Sequence, residues 1–118
     1  MAELITHNTP WLLEQWGRWA RVNSDLTVGY PSITTFTKLL GSTLPSPLIN
    51  DDDAMLVDSA VARLNHRDEE MGQAVVLFYT GGSNVSQVAR WLDIDRRRAD
   101  VLVKSGTAWV DAAIDNVA

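Results

Sequence analysis

The sequence predicts an all-α fold, a compact helical domain containing a helix-turn-helix unit, and three observations carry that prediction. Apolar residues recur at helical spacing in several stretches, each bounded by helix-start or helix-stop residues. The segment Val85 to Lys104, VSQVARWLDIDRRRADVLVK, fits the core pattern of two helices joined by a tight turn. No stretch reads as a strand.

Size and composition bound the rest. At 118 residues, the chain reads as one domain spanning 1–118, large enough for a real core without staples. A hydrophobic content of 46% with 21% charged residues is ordinary for a soluble globular protein. The absence of cysteine removes disulfides, thiolate metal sites and a cysteine nucleophile from consideration. No apolar run approaches bilayer length and no signal-peptide pattern opens the chain, so an intracellular protein without a membrane partner is expected.

In chain order, Thr9-Pro10 reads as a helix opening, with an N-cap hydroxyl and proline at the first helical position. A Trp-rich helix over 9–22 follows, its stripe made of Leu12, Trp16, Trp19 and Val22 with Leu13 beside it. Three tryptophans could form a stacking platform for RNA bases, but helical periodicity favours a helix docked on the core. Residues 23–50 form an irregular connection punctuated by Gly29, Pro31, Gly41, Pro45 and Pro47, with a short helix over Ile33 to Leu40. So long a connection is either functional or mobile.

Helices are expected over 51–80. Asp51-Asp52-Asp53 opens the first, complementing the helix dipole and capping free N–H groups, with Leu56 or Val57, Ala60, Val61 and Leu64 inward. Adjacent carboxylates diverge around a helix axis, which argues against a metal cluster there. His66 and His7 have no liganding or nucleophile pattern nearby and read as solvent-facing. Asp68 starts the second helix and Gly81-Gly82 stops it. No cofactor is implied. With no phosphate-cradling loop and no histidine placed as a base, an enzyme is not expected.

The two-helix unit and final helix occupy 84–115, with Ser83 or Asn84 as the first cap. Val88, Leu92, Ile94, Ala99 and Leu102 turn inward, and Ala89 falls where the helices cross most closely. Asp93 stands where glycine usually supplies positive φ, a conformation aspartate tolerates better than most. Asp95 caps a second helix opening Arg96-Arg97-Arg98, and Gly106 later in that helix is a weak point, tolerable if another helix packs close there. In such a unit the second helix enters the major groove of double-stranded DNA. Helical spacing then projects Arg96, Arg97, Asp100 and Val101 outward. Arginine can bind guanine bidentately and aspartate can accept from cytosine, while Arg90, Arg98 and Lys104 suit phosphates.

Charge runs against an autonomous DNA binder. The net charge is −5 with a pI near 4.8, whereas DNA-binding domains usually carry a basic excess. Weak non-specific binding and a protein partner that supplies affinity are expected.

Three segments together resemble the bacteriophage antitermination protein Q family: LEQWGRWAR at Leu13 to Arg21, DDDAMLVDSAVARL at Asp51 to Leu64, and VARWLDIDRRRADVLVKSGTAWVDAAI at Val88 to Ile114. The acidic block is the most specific of them, since fold requirements alone do not explain it; the central connection matches poorly. The resemblance implies a late-gene regulator in the host bacterial cytoplasm. Such proteins bind a DNA element near the late promoter and load onto host RNA polymerase held with its sigma factor at a promoter-proximal pause. They then alter the exit channel, near nascent RNA, so that terminators fail. It also implies a chain without the C-terminal extension that some members carry, and a two-helix unit like sigma region 4. Two other readings compete: a conventional phage activator acting at initiation, and a helical adaptor that binds no DNA.

Overall fold

The computed structural model of the chain describes residues 8–22 and 45–117. The helix expected over Ile33 to Leu40, most of the irregular connection and His7 lie outside the described residues. Within them are five helices and no strand: α1 (Thr9–Val22), α2 (Asp51–Arg67), α3 (Glu69–Thr80), α4 (Val85–Leu92) and α5 (Arg96–Val117).

Two of the helix starts differ from expectation, and for the same reason. Asn8, not Thr9, caps α1: its carboxamide oxygen accepts from Trp11 N at 3.0 Å, while the Thr9 hydroxyl donates to Asp111 on α5. Asn50, not the acidic triplet, caps α2, accepting from Asp53 N at 2.8 Å. Asparagine is among the best capping residues, and one residue upstream it reaches the N3 amide. Asp68, expected with Glu69 and Glu70 at the start of this helix, is the cap of α3, accepting from Met71 N at 3.1 Å.

The larger hydrophobic cluster joins α1, α2, α3 and the C-terminal half of α5, with Leu12, Leu13 and Trp16 wholly buried among Val61, Leu64, Val75 and Ile114. Burying side chains of this size contributes about 1.5–3 kcal/mol each. Trp16 and Trp19 are therefore core residues, as helical periodicity indicated, and neither offers a stacking face. Their indole N–H groups donate to carboxylates of α2: Trp16 Nε1 to Asp58 at 3.1 Å and Trp19 Nε1 to Asp51 at 3.0 Å. As numbering rises along α1 it falls along α2, so the two helices run antiparallel. Val22, expected at the end of the stripe, is instead 74% exposed at the last residue of α1.

These bonds correct the reading of the acidic block as something the fold does not explain. Asp51 and Asp58 lie seven residues apart, hence on one face of α2, and each satisfies a buried indole donor. Burial pushes the Asp58 carboxyl above the usual carboxylate range, and the Trp16 hydrogen bond offsets part of that.

Among the described residues, three glycines set how closely helices approach, including Gly72, where a Cβ would lie 2.4 Å from Asn65 Cα. A Cβ on Gly17 would lie 2.0 Å from the Tyr79 carbonyl oxygen, so α1 rests directly on the backbone of α3. A Cβ on Gly106 would lie 2.3 Å from Val75 Cγ2, and that close helix packing is the condition under which a glycine is tolerable at that position.

Candidate nucleic-acid interface

The second, smaller cluster holds α4 against α3 and the start of α5, through Ala74, Leu77, Val88, Ala89, Ala99, Leu102 and Val103, with Leu92 and Ile94 half-buried against it. Asn84 supplies the cap of α4, accepting from Gln87 N at 3.1 Å. Its C-terminus is closed by Asp93 at φ 56°, ψ 50°, the left-handed conformation expected there. With Asp93 in place, Asp93 N donates to Arg90 O at 3.3 Å and Ile94 N to Ala89 O at 3.0 Å. That pairing satisfies two carbonyls that a helix end otherwise leaves bare, and it turns Ile94 back onto the cluster. Asp95 then accepts from Arg97 N at 3.1 Å, and α5 begins. The sharp reversal between α4 and α5 is thus encoded within about a dozen consecutive residues.

On this frame, Arg96, Arg97 and Arg98 are all exposed on the first turn of α5, and Arg90 is exposed on α4. Their surroundings differ. Arg96 Nε donates to Ser86 Oγ at 3.0 Å, which ties the guanidinium to the start of α4. Arg98 forms an ion pair with Glu70 of α3, and that partner holds the guanidinium above its usual pKa. Lys104 pairs with Asp100 at 2.9 Å. Asp100 therefore lies beside a cation of its own helix and on the rim of a cleft of about 560 Å³ walled by Trp11, Phe78, Tyr79 and Val103. Arg97 and Val101 project from the face opposite the buried Ala99, Leu102 and Val103, and Val101 is 56% exposed.

Ser86 and Glu70 were not singled out by sequence reasoning. Ser86 lies ten residues from Arg96 and Glu70 twenty-eight from Arg98, and no local spacing rule joins such pairs.

The first turn of α5 contains no acidic residue. Three guanidinium groups thus sit at the positive end of a 22-residue helix, where the dipole disfavours cations. Asp95 and Glu70 offset part of that cost. The same exposed guanidinium groups can donate to a phosphate or to the acceptor edge of guanine. Among the described residues, no three histidine, aspartate or glutamate side chains converge as metal ligands would. No described helix is long and apolar enough to cross a membrane.

Comparison with known proteins gives a consistent set of matches. A family model described as phage antitermination protein Q matches residues 7–117. Antitermination protein Q of Escherichia phage 933W is 31% identical over 80 residues, covering 67% of this chain and 56% of that protein. A probable antitermination protein Q of Acyrthosiphon pisum secondary endosymbiont phage 1 is 31% identical over 100 residues, covering 80% of this chain and 67% of its own length. A prophage antitermination protein Q homolog of Escherichia coli K12 is 34% identical over 80 residues, covering 66% of this chain and 62% of its own. The match thus spans little more than half the length of the phage 933W protein. No solved structure matches the chain.

Proposed function

This chain belongs to the phage antitermination protein Q family, and we propose from that premise that it suppresses transcription termination after engaging DNA through α5. Its site is a DNA element near a phage late promoter, and its second partner is host RNA polymerase paused there with its sigma factor. The α4–α5 pair acts as a helix-turn-helix unit within one domain, with α5 in the major groove. The observation that carries this is the exposed arginine triplet at the positive end of α5, an arrangement that disfavours the isolated protein and suits an anionic partner.

The roles divide by geometry. Arg97, facing outward, and Arg96, braced by Ser86, approach base edges. Arg90 and Arg98 contact phosphates, and Glu70 positions Arg98 for that contact. Lys104 reaches a phosphate from its pair with Asp100, so Asp100 serves mainly to orient Lys104 and reads a cytosine only if the pair opens. The net charge of −5 fits an arrangement in which polymerase supplies affinity that the DNA contacts lack. The protein then remains near the RNA exit channel and the nascent transcript, in the host cytoplasm.

Charge reversal at Arg97 tests the proposal. Arg97→Glu should weaken binding to the DNA element roughly tenfold or more and abolish terminator readthrough by host polymerase from the late promoter. The thermal unfolding midpoint should not fall and should rise slightly, because Arg97 is exposed and a carboxylate suits the helix start better than a cation. Unchanged readthrough in the variant would remove α5 as the DNA-reading element. Increased initiation without readthrough in the parent protein would favour the activator reading instead.

A further inference from the structure

The outward face of α5 is not uniformly polar. Arg97, Val101, Lys104 and Ala108 are all exposed and follow one another at intervals of four, three and four residues, so they form a single stripe along the helix. The inward face is occupied by Ala99, Leu102, Val103 and Val110, so Val101 has no core to join. It is the one large apolar side chain on α5 that is strongly exposed among the described residues. It sits one turn beyond Arg97 and one turn before Lys104.

A β-branched apolar side chain between two cations gains nothing from water and would be a poor phosphate contact. In the major groove, however, thymine differs from the other bases by a C5 methyl group, the only apolar feature on that surface. We propose that Val101 selects thymine by packing on that methyl, and that Arg97 and Val101 together read adjacent positions of the element. This rests on α5 being the helix that enters the major groove. Four residues of helix rise about 6 Å, and base pairs step about 3.4 Å. The thymine therefore lies one or two base pairs from the base bound by Arg97. Arg96 is held toward the start of α4 by Ser86 and Asp100 is paired with Lys104, so neither competes for the position beside Val101.

The test removes one methyl group at a time. A preferred duplex is first selected from a randomised pool with the whole protein. Each thymine of that duplex is then replaced singly by deoxyuridine, and affinities are measured for the parent protein, Val101→Ala and Arg97→Ala. One replacement should weaken the parent about fourfold, the worth of burying one methyl group, and should leave Val101→Ala unaffected. That thymine should lie within two base pairs of the position at which Arg97→Ala loses sequence preference. If every deoxyuridine duplex binds the parent equally well, or if the penalty persists in Val101→Ala, the assignment of Val101 is overturned even where Arg97 still governs preference. If no preferred duplex emerges at all, the major-groove reading of α5 fails and this assignment fails with it. Val101→Ala should unfold like the parent, since the side chain is exposed, so a lost contact cannot be mistaken for a lost fold.

Discussion

The two hydrophobic clusters are held by different kinds of interaction. In the larger one, the decisive contacts join residues far apart in the chain: Trp16 to Asp58, Trp19 to Asp51, Thr9 to Asp111, and Gly17 against the backbone of Tyr79. In the smaller one, the geometry is set by near neighbours: the Asn84 cap, the left-handed Asp93, the Asp95 cap and the small Ala89 at the crossing. A unit shaped by its own caps and turn can present side chains at fixed spacing while contributing little to the stability of the whole. The larger cluster does the converse, anchoring α3 and α5 so that the arginine face has a rigid base.

The largest effect should come from breaking the larger cluster at its tightest point. A methyl group at residue 17 meets a carbonyl oxygen and its carbon, at 2.0 and 2.5 Å, and backbone cannot swing aside as a side chain can. Gly17→Ala should therefore cost about 3 kcal/mol, more than the ~1 kcal/mol that alanine gains as a helix former. Denaturant unfolding measures it. A variant as stable as the parent would mean that α1 does not rest on α3 in this way.

The same kind of insult in the smaller cluster should do less and stay local. Ala89 is 7% exposed and packs where α4 meets α5. Ala89→Leu should cost about 1–3 kcal/mol by overpacking. Amide exchange should quicken in α4 and the start of α5, while α1 and α2 keep their protection. Uniform loss of protection along the whole chain would show that the two clusters unfold as one unit and would erase the distinction.

That contrast also explains what could be read from the residues in order. The α4–α5 unit was legible because its determinants are contiguous: an asparagine cap, an aspartate at the reversal, an aspartate cap and inward apolar residues at fixed offsets. The Trp-rich helix was legible as a buried stripe, but its partners were not. Nothing local says that Asp58 answers Trp16 across 42 residues, so the acidic block looked unexplained by fold requirements when two of its carboxylates satisfy buried indoles. Cap positions slipped by one residue at Thr9 and Asp51 because both candidates are good capping types and only the backbone decides between neighbours. The arginine triplet was visible, yet its division into Arg96 on Ser86, Arg98 on Glu70 and an outward Arg97 required α3 and α4 in place.

A smaller effect, opposite in sign, is expected at the reversal itself. Asp93 holds φ 56°, where a side chain is disfavoured and glycine is not. Asp93→Gly should stabilise the protein by roughly 0.5 kcal/mol, the net of relieved strain and the greater freedom of glycine when unfolded. A thermal melt resolves a shift of that size. Destabilisation instead would mean that the aspartate side chain itself contributes to the turn.

The smallest effect is a slope with pH, and it arises in the larger cluster. The Asp58 carboxyl is raised above its usual range, chiefly because burial disfavours its charge, with the Trp16 N–H partly restoring it. A group whose folded pKa exceeds its unfolded value binds its proton more tightly when folded. Its contribution to stability is therefore fully present below the unfolded pKa and is lost as pH rises through the folded one. Measured against Asp58→Asn, which cannot titrate, the parent should lose stability progressively just above the ordinary carboxylate range and then level off. The two proteins should run parallel at higher pH. A parent that gains stability over that interval relative to Asp58→Asn would mean that the hydrogen bond from Trp16 outweighs the burial. The indole–carboxylate contact would then be a net source of stability in the charged state.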